Sequence, residues 1–132
     1  MQFTPIRLPP AIDLRRALEA ALASQNTDSA FVIAGIGSLV EATLRYAGES
    51  AERVLPGPLE ILSVSGSLSP EGAHLHVSVS DARGQVYGGH LGYGSTIRTT
   101  AEVLLALLPN GSLMREHDAR TGHNELVVRR RD

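Results

Sequence analysis

Residues 73–91 read AHLHVSVSDARGQVYGGHL, and how this stretch turns back on itself decides the architecture. Leu75, Val77 and Val79 alternate with His74, His76, Ser78 and Ser80, the period of two of a half-buried strand. A second strand returns from Gln85. Asp81 is favoured at the first position of a turn, and Gly84 falls where a left-handed residue is needed. Together they predict a three-residue loop, Ala82-Arg83-Gly84, built as a type I turn closed by a bulge. That loop sets Asp81 opposite Gln85 and His76 opposite His90. The apolar pattern gives the same register independently, since Tyr87 and Leu91 then join Val79 and Leu75 on the core side. A loop one residue shorter or longer would put Leu91 among the histidines.

Three of the five histidines, His74, His76 and His90, therefore share one polar face. Opposed Cβ atoms on such a face lie about 5 Å apart and diagonal ones roughly 7 Å. Three neutral imidazoles with one coordination position left open suit a divalent metal, zinc or a similar ion. Gly88 and Gly92 flank His90 and are expected to leave room above it. A hydrogen-bonded polar patch, with the glycines serving close strand packing, explains the same residues without a metal. His-x-His arises in strands by chance; the third histidine in register sets this arrangement apart. His117 and His123 fall in polar sequence and read as surface loop residues.

The rest of the chain supplies short strands and one helix. MQFTPIRL opens as a strand that Pro9-Pro10 ends. DLRRALEAALASQ is the main helix, with Asp13 as N-cap and Leu14, Ala17, Leu18, Ala21 and Leu22 in one apolar stripe. AFVIAGIG (30–37) reads as a strand buried on both faces, and LVEATLRYA as its continuation or a new strand. Arg53-Val54-Leu55 is a short strand before a Pro56-Gly57-Pro58 turn. In LEILSVSGSLS (59–69), Leu59, Ile61 and Ser63 share one face while Glu60, Leu62 and Val64 share the other. TIRTTAEVLLALL (96–108) begins β-branched and ends in helix-compatible sequence. NELVVRRRD holds a last strand and a charged terminus. The fold class is α+β, one domain over residues 1–132 with a mostly antiparallel sheet.

Hydrophobic residues make up 42% and charged residues 20%, an ordinary globular composition. No apolar run is long enough for a bilayer span, and Met1 leads straight into strand-like sequence; no membrane role and a cytoplasmic location are expected. Cysteine is absent, which excludes disulfides and thiolate metal sites. All twelve basic residues are arginines against fourteen acids, a balance that opposes nucleic-acid wrapping. GIGSLV (35–40) lacks the third glycine of a dinucleotide fingerprint, and GYGST (92–96) lacks a phosphate-loop lysine. Glu60 reads as salt-bridged or solvated, while Glu102 stays open as a candidate base.

AFVIAGIGSLVEATLR, LEILSVSGSLSPEGAHLHVSVSDARGQVYGGHL, TTAEVLL and TGHNELVV, taken in order from about Ile6 to Val128, resemble the plants-and-prokaryotes-conserved (PPC) domain. The resemblance implies an α+β fold assembled as a homotrimer. In plants the domain follows DNA-binding AT-hook segments; prokaryotic members usually stand alone, and some look like metal-binding proteins. His74, His76 and His90 match the histidines of the prokaryotic pattern. Nothing in this sequence matches the Arg-Gly-Arg core of an AT-hook, since Arg129-Arg130-Arg131 is a plain charge run, so direct DNA binding is doubtful. The family's entry to the EIL strand is replaced by Gly57-Pro58-Leu59, which bears on a partner surface. The expectation is a trimeric module binding a divalent metal or small ligand, with a small molecule or another protein as a further partner. A DNA-associated regulator is the alternative. A metal-dependent enzyme using Glu102 as base would need a substrate pocket that the sequence does not locate, so a binding module is favoured over an enzyme.

Overall fold

The structure is a computed structural model that describes residues 2–130. Met1, expected in the opening strand, and Arg131 of the terminal charge run lie outside the described residues. The elements are β1 (Gln2–Leu8), α1 (Leu14–Ala21), β2 (Ala30–Arg45), β3 (Arg53–Ser69), β4 (Gly72–Ser80), β5 (Val86–Leu91), β6 (Ile97–Leu107), β7 (Leu113–Asp118) and β8 (His123–Val128). Six strands form an antiparallel sheet in the order β1-β6-β2-β3-β4-β5. The sheet curls far enough for β5 to pair also with the end of β2, setting Leu44 against Leu91 and Arg45 against His90. β7 and β8 make a separate hairpin. This is the α+β architecture the sequence implies.

The β4–β5 hairpin has the anticipated register, with His76 opposite His90 and Val79 opposite Tyr87. Asp81 makes the turn. Its carboxylate accepts from the backbone N–H groups of Arg83 and Gln85, both at 2.9 Å, while its carbonyl accepts from Gly84 at 3.0 Å. Gly84 takes φ 77°, the left-handed conformation that closes such a loop.

α1 lies against β4 and begins where Asp13 accepts from the Arg16 N–H at 2.9 Å. Leu14 and Leu18 are fully buried, and Leu22, in a 3₁₀ turn that ends the helix, is nearly so. Burying each leucine contributes about 2 kcal/mol. The GYGST loop is committed to this junction: the Ser95 carbonyl accepts from Leu14 N–H at 2.9 Å, and Gly94 N–H donates to Asp13.

Some elements settle an open sequence reading and others differ from it. LVEATLR continues AFVIAGIG in one 16-residue strand. The AFVIAGIG part of that strand is buried on one face only: Ala30 and Val32 point inward, whereas Phe31, Ile33 and Ile36 are exposed. Pro56-Gly57-Pro58 does not turn the chain, because β3 runs straight through it. The β2–β3 register shifts between Leu39 and Glu41, where one extra residue of β3 forms a bulge. Proline, lacking an N–H, is tolerated at such a site, and Gly57 passes so near the Val40 carbonyl that a Cβ would overlap it. A second irregularity at Leu62 exchanges the faces, leaving Leu62 exposed and burying Val64 with Leu59 and Ile61. β6 stays extended to Leu107, since pairing to β1 on one side and β2 on the other overrides its helix-compatible composition. His117 and His123 lie in the β7–β8 hairpin rather than a loop, and both are exposed.

Candidate metal centre

β4 presents His74 and His76 on one face because they are two residues apart, and β5 sets His90 directly across from His76. The rings meet closely. The His74 and His90 rings stack at 4.8 Å with 13° between their planes, while His76 meets them edge-on at 5.2 and 4.6 Å. One donor atom from each ring lies within 4.8 Å of the others. His74 and His90 are half-buried and His76 is exposed.

Across from β4, Ser67 faces His74 and Ser65 faces His76, with Gly66 between them. Gly66 takes φ 148°, and a Cβ there would run into the His74 carbonyl and stand 2.9 Å from Leu75 Cα. Gly66→Ala is therefore expected to cost about 2 kcal/mol or more and to push His74 out of place. Thermal melts and metal content of the variant would both fall; an unchanged melting temperature would contradict this close strand approach.

Gly88 and Gly92 do not simply leave open space, as the sequence suggests they would. A Cβ on Gly92 would stand 2.8 Å from the Glu52 carboxylate, and one on Gly88 3.0 Å from the Val77 carbonyl. The neighbours that sequence order does not reveal are arginines. From β7, Arg115 donates through Nη2 to Ser67 Oγ at 2.8 Å and to His74 Nδ1 at 3.1 Å. Because a guanidinium only donates, Nδ1 accepts, and the neutral ring carries its proton on Nε2. That Nε2 is buried with no hydrogen-bond partner. An orphaned buried donor is costly and marks a place where something is missing.

Burial, followed by the charge of Arg45 and the neighbouring rings, pushes the His90 pKa down to about 4. Burial, then Arg115 and His76, likewise lowers that of His74. Both rings are thus neutral at pH 7, the form that binds a cation, although His74 must first move its proton from Nε2 to Nδ1. Unfolded histidine titrates near 6.5. Below that pH the unfolded chain takes up protons that the folded chain refuses, so stability falls as pH drops from about 6.5 towards 4. Denaturant melts of the metal-free protein should show lower stability at pH 5 than at pH 7. A flat profile across that window would contradict the burial of these rings.

Zinc binds imidazole nitrogen at about 2.0–2.1 Å, so two ligands of one ion lie roughly 3.4 Å apart. Donors within 4.8 Å of one another reach that spacing through small ring rotations, and the orphaned Nε2 gains a partner. The residues fit a divalent ion. One adjustment is required: a ring that gives Nε2 to a metal holds its proton on Nδ1, where Arg115 now donates. Glu102 is not at this centre; it lines a separate groove with Ile6, Arg7 and Ile36, across β1, β6 and β2. Glu60 is exposed and has no ion pair among the described residues. His123 lines the cleft beside the cluster without joining it, and His117 does neither.

Residues 1–109 match the Plants and Prokaryotes Conserved (PCC) domain, also written PPC. The chain belongs to this family. Its relatives include the bifunctional protein GlmU of Synechococcus sp. strain JA-2-3B'a(2-13), 45% identical over 128 residues that make up 97% of this chain and 20% of GlmU. The chain thus spans about a fifth of the length of the curated relatives it matches. Among solved structures, a hypothetical protein from Salmonella cholerae-suis is 36% identical with a TM-score of 0.89, covering 98% of this chain and 94% of that one. A metal-containing protein from Archaeoglobus fulgidus is 28% identical, TM-score 0.81, covering 96% and 94%. A Ralstonia eutropha JMP134 protein, named as a candidate DNA-binding protein, is 25% identical, TM-score 0.81, covering 95% and 90%. No helix among the described residues is long and apolar enough to cross a membrane.

Proposed function

We propose that residues 1–132 form one PPC domain that assembles as a homotrimer and binds one divalent metal, zinc as the leading candidate, through His74, His76 and His90. The observation that carries this reading is the convergence of one imidazole nitrogen from each of three histidines within 4.8 Å, together with a buried His74 Nε2 that has no partner. The metal-containing Archaeoglobus relative supports it. Trimer assembly is supported by the uncovered apolar side chains on β2. Each ring supplies one nitrogen, and water or a ligand takes the remaining position.

Native mass spectrometry with elemental analysis of one sample tests both parts. The expected particle is three 14.0 kDa chains with one divalent ion per chain. Monomer alone at micromolar concentration would defeat the trimer, and metal-free protein after zinc loading would defeat the site.

A DNA-associated role is the second reading, favoured by the name of the Ralstonia relative. The formal charge of −2 opposes it, because phosphate neutralisation supplies most non-specific affinity. Duplex binding by this chain is expected to be weak and lost at about 0.15 M salt. A gel shift that persists there would reverse the ranking.

A further inference from the structure

Beside the histidine cluster runs a cleft of about 950 Å³, a size suited to a small molecule. Arg15, Arg45 and Arg115 stand on its walls with His74 and His90. Arg15 is fully engaged, donating to the Leu91 and Ala73 carbonyls at 3.0 Å each and to Glu19 at 3.3 Å. Arg45 and Arg115 are different. Among the described residues neither has a carboxylate within 4.0 Å. Among the described residues Arg45 donates only to the Glu49 carbonyl, at 3.2 Å, and Arg115 only to Ser67 and His74.

Four acids line the same walls, and two of them, Glu49 and Glu71, are turned to other partners. Glu49 pairs with Arg53 at 3.8 Å, Glu71 accepts from the Ser69 hydroxyl at 3.1 Å, and Glu52 lies against Gly92. Glu125 acts on His74 through its charge. It is not among the grouped ligand atoms.

Imidazole ligands carry no charge and leave a divalent ion with its full charge, and the guanidiniums of Arg45 and Arg115 stand beside it with no carboxylate within 4.0 Å among the described residues, although Glu49, Glu52, Glu71 and Glu125 line the same cleft. Arg115 also loses its acceptor when His74 turns a nitrogen to the metal, because Nδ1 then carries a proton. A partly buried guanidinium in that position needs a new acceptor, and its planar fork matches an oxyanion.

We infer that the cleft binds a small oxyanion, a carboxylate or phosphate group, that fills the metal's remaining position and is anchored by Arg115, with Arg45 as the second cation. The inference rests on the metal reading above. Exogenous anion, rather than Glu125, supplies the compensating charge.

Cobalt(II)-loaded protein titrated at constant ionic strength with acetate, and separately with inorganic phosphate, tests it through the visible ligand-field bands. Cobalt content is measured on the same samples. A saturable spectral change is expected in the wild type, and the tighter of the two anions identifies the group. In Arg115→Gln the anion should bind about tenfold to a hundredfold more weakly while cobalt content holds. Arg83→Gln, at the exposed hairpin tip, should behave as wild type. A cobalt-loaded protein blind to both anions, or equal affinity in Arg115→Gln, would overturn the inference and leave the metal site standing. Anion sensitivity that appears only in Glu125→Gln would show an internal carboxylate in that position and would also overturn it. A chain that takes up no cobalt removes the metal reading and this inference together.

Discussion

His90→Ala is expected to leave the protein without stoichiometric metal, while His117→Ala leaves metal content unchanged. A three-nitrogen site reduced to two loses a direct bond to the ion, and even outer-shell partners are worth about 10- to 100-fold in affinity. The loss on removing His90 should exceed that range. His90 is a clean place to cut. It sits on β5, whose register is held by the Asp81 turn and by Leu91, buried against the core. Truncation should therefore spare the hairpin. His117 is exposed on β7 opposite Asn124 and contributes no atom to the cluster. Elemental analysis after exhaustive dialysis reads the difference, and equal metal in wild type and His90→Ala would defeat the site. A second signature separates loss of ligand from misfolding. The His90 ring is the one held neutral down to about pH 4. Metal-free His90→Ala should accordingly lose less stability than wild type between pH 7 and pH 5.

The hairpin is legible in the sequence because several local rules agree. Asp81 and Gly84 choose the turn, and the turn chooses the register. The alternation of Leu75, Val77, Val79 and Leu91 admits no other pairing. That agreement alone brings His74, His76 and His90 onto one face. The helix follows equally from its cap and its leucine stripe. What escapes a local reading is set by distant partners. Arg115 reaches His74 because the β7–β8 hairpin lies near β3, a contact between residues 41 positions apart with no local signal. Arg45 reaches His90 only because the sheet curls until β5 meets β2. Bulges account for the remaining differences. Simple alternation puts Val64 with Leu62, but the irregularity at Leu62 inverts every later residue of β3. Pro56-Gly57-Pro58 has the composition of a turn and serves as the bulge that lets β2 and β3 stay paired.

Ile36→Asp is expected to convert the proposed trimer to monomers while leaving the chain folded. The apolar run in β2 suggests burial on both faces, yet in the isolated chain Ile36 is 54% exposed and Ile33 48%. Phe31 and Val40 on the same strand are also exposed, and Ile6 and Leu104 line a groove beside Ile36. Contiguous apolar surface of this kind is uncommon on a monomer and marks a face that another surface covers. A fully apolar strand thus makes physical sense if its second burial partner is another copy of the chain. A carboxylate at position 36 would have to be desolvated within that contact, at a cost of several kcal/mol per copy. No such cost arises in the monomer, where the side chain meets water. Sedimentation equilibrium should show the change in mass, and far-ultraviolet circular dichroism should show retained sheet. A variant that stays trimeric would place the interface elsewhere. Because His74, His76 and His90 all come from one chain, the monomeric variant should still take up its metal; loss of metal on dissociation would mean that a neighbouring chain completes the site.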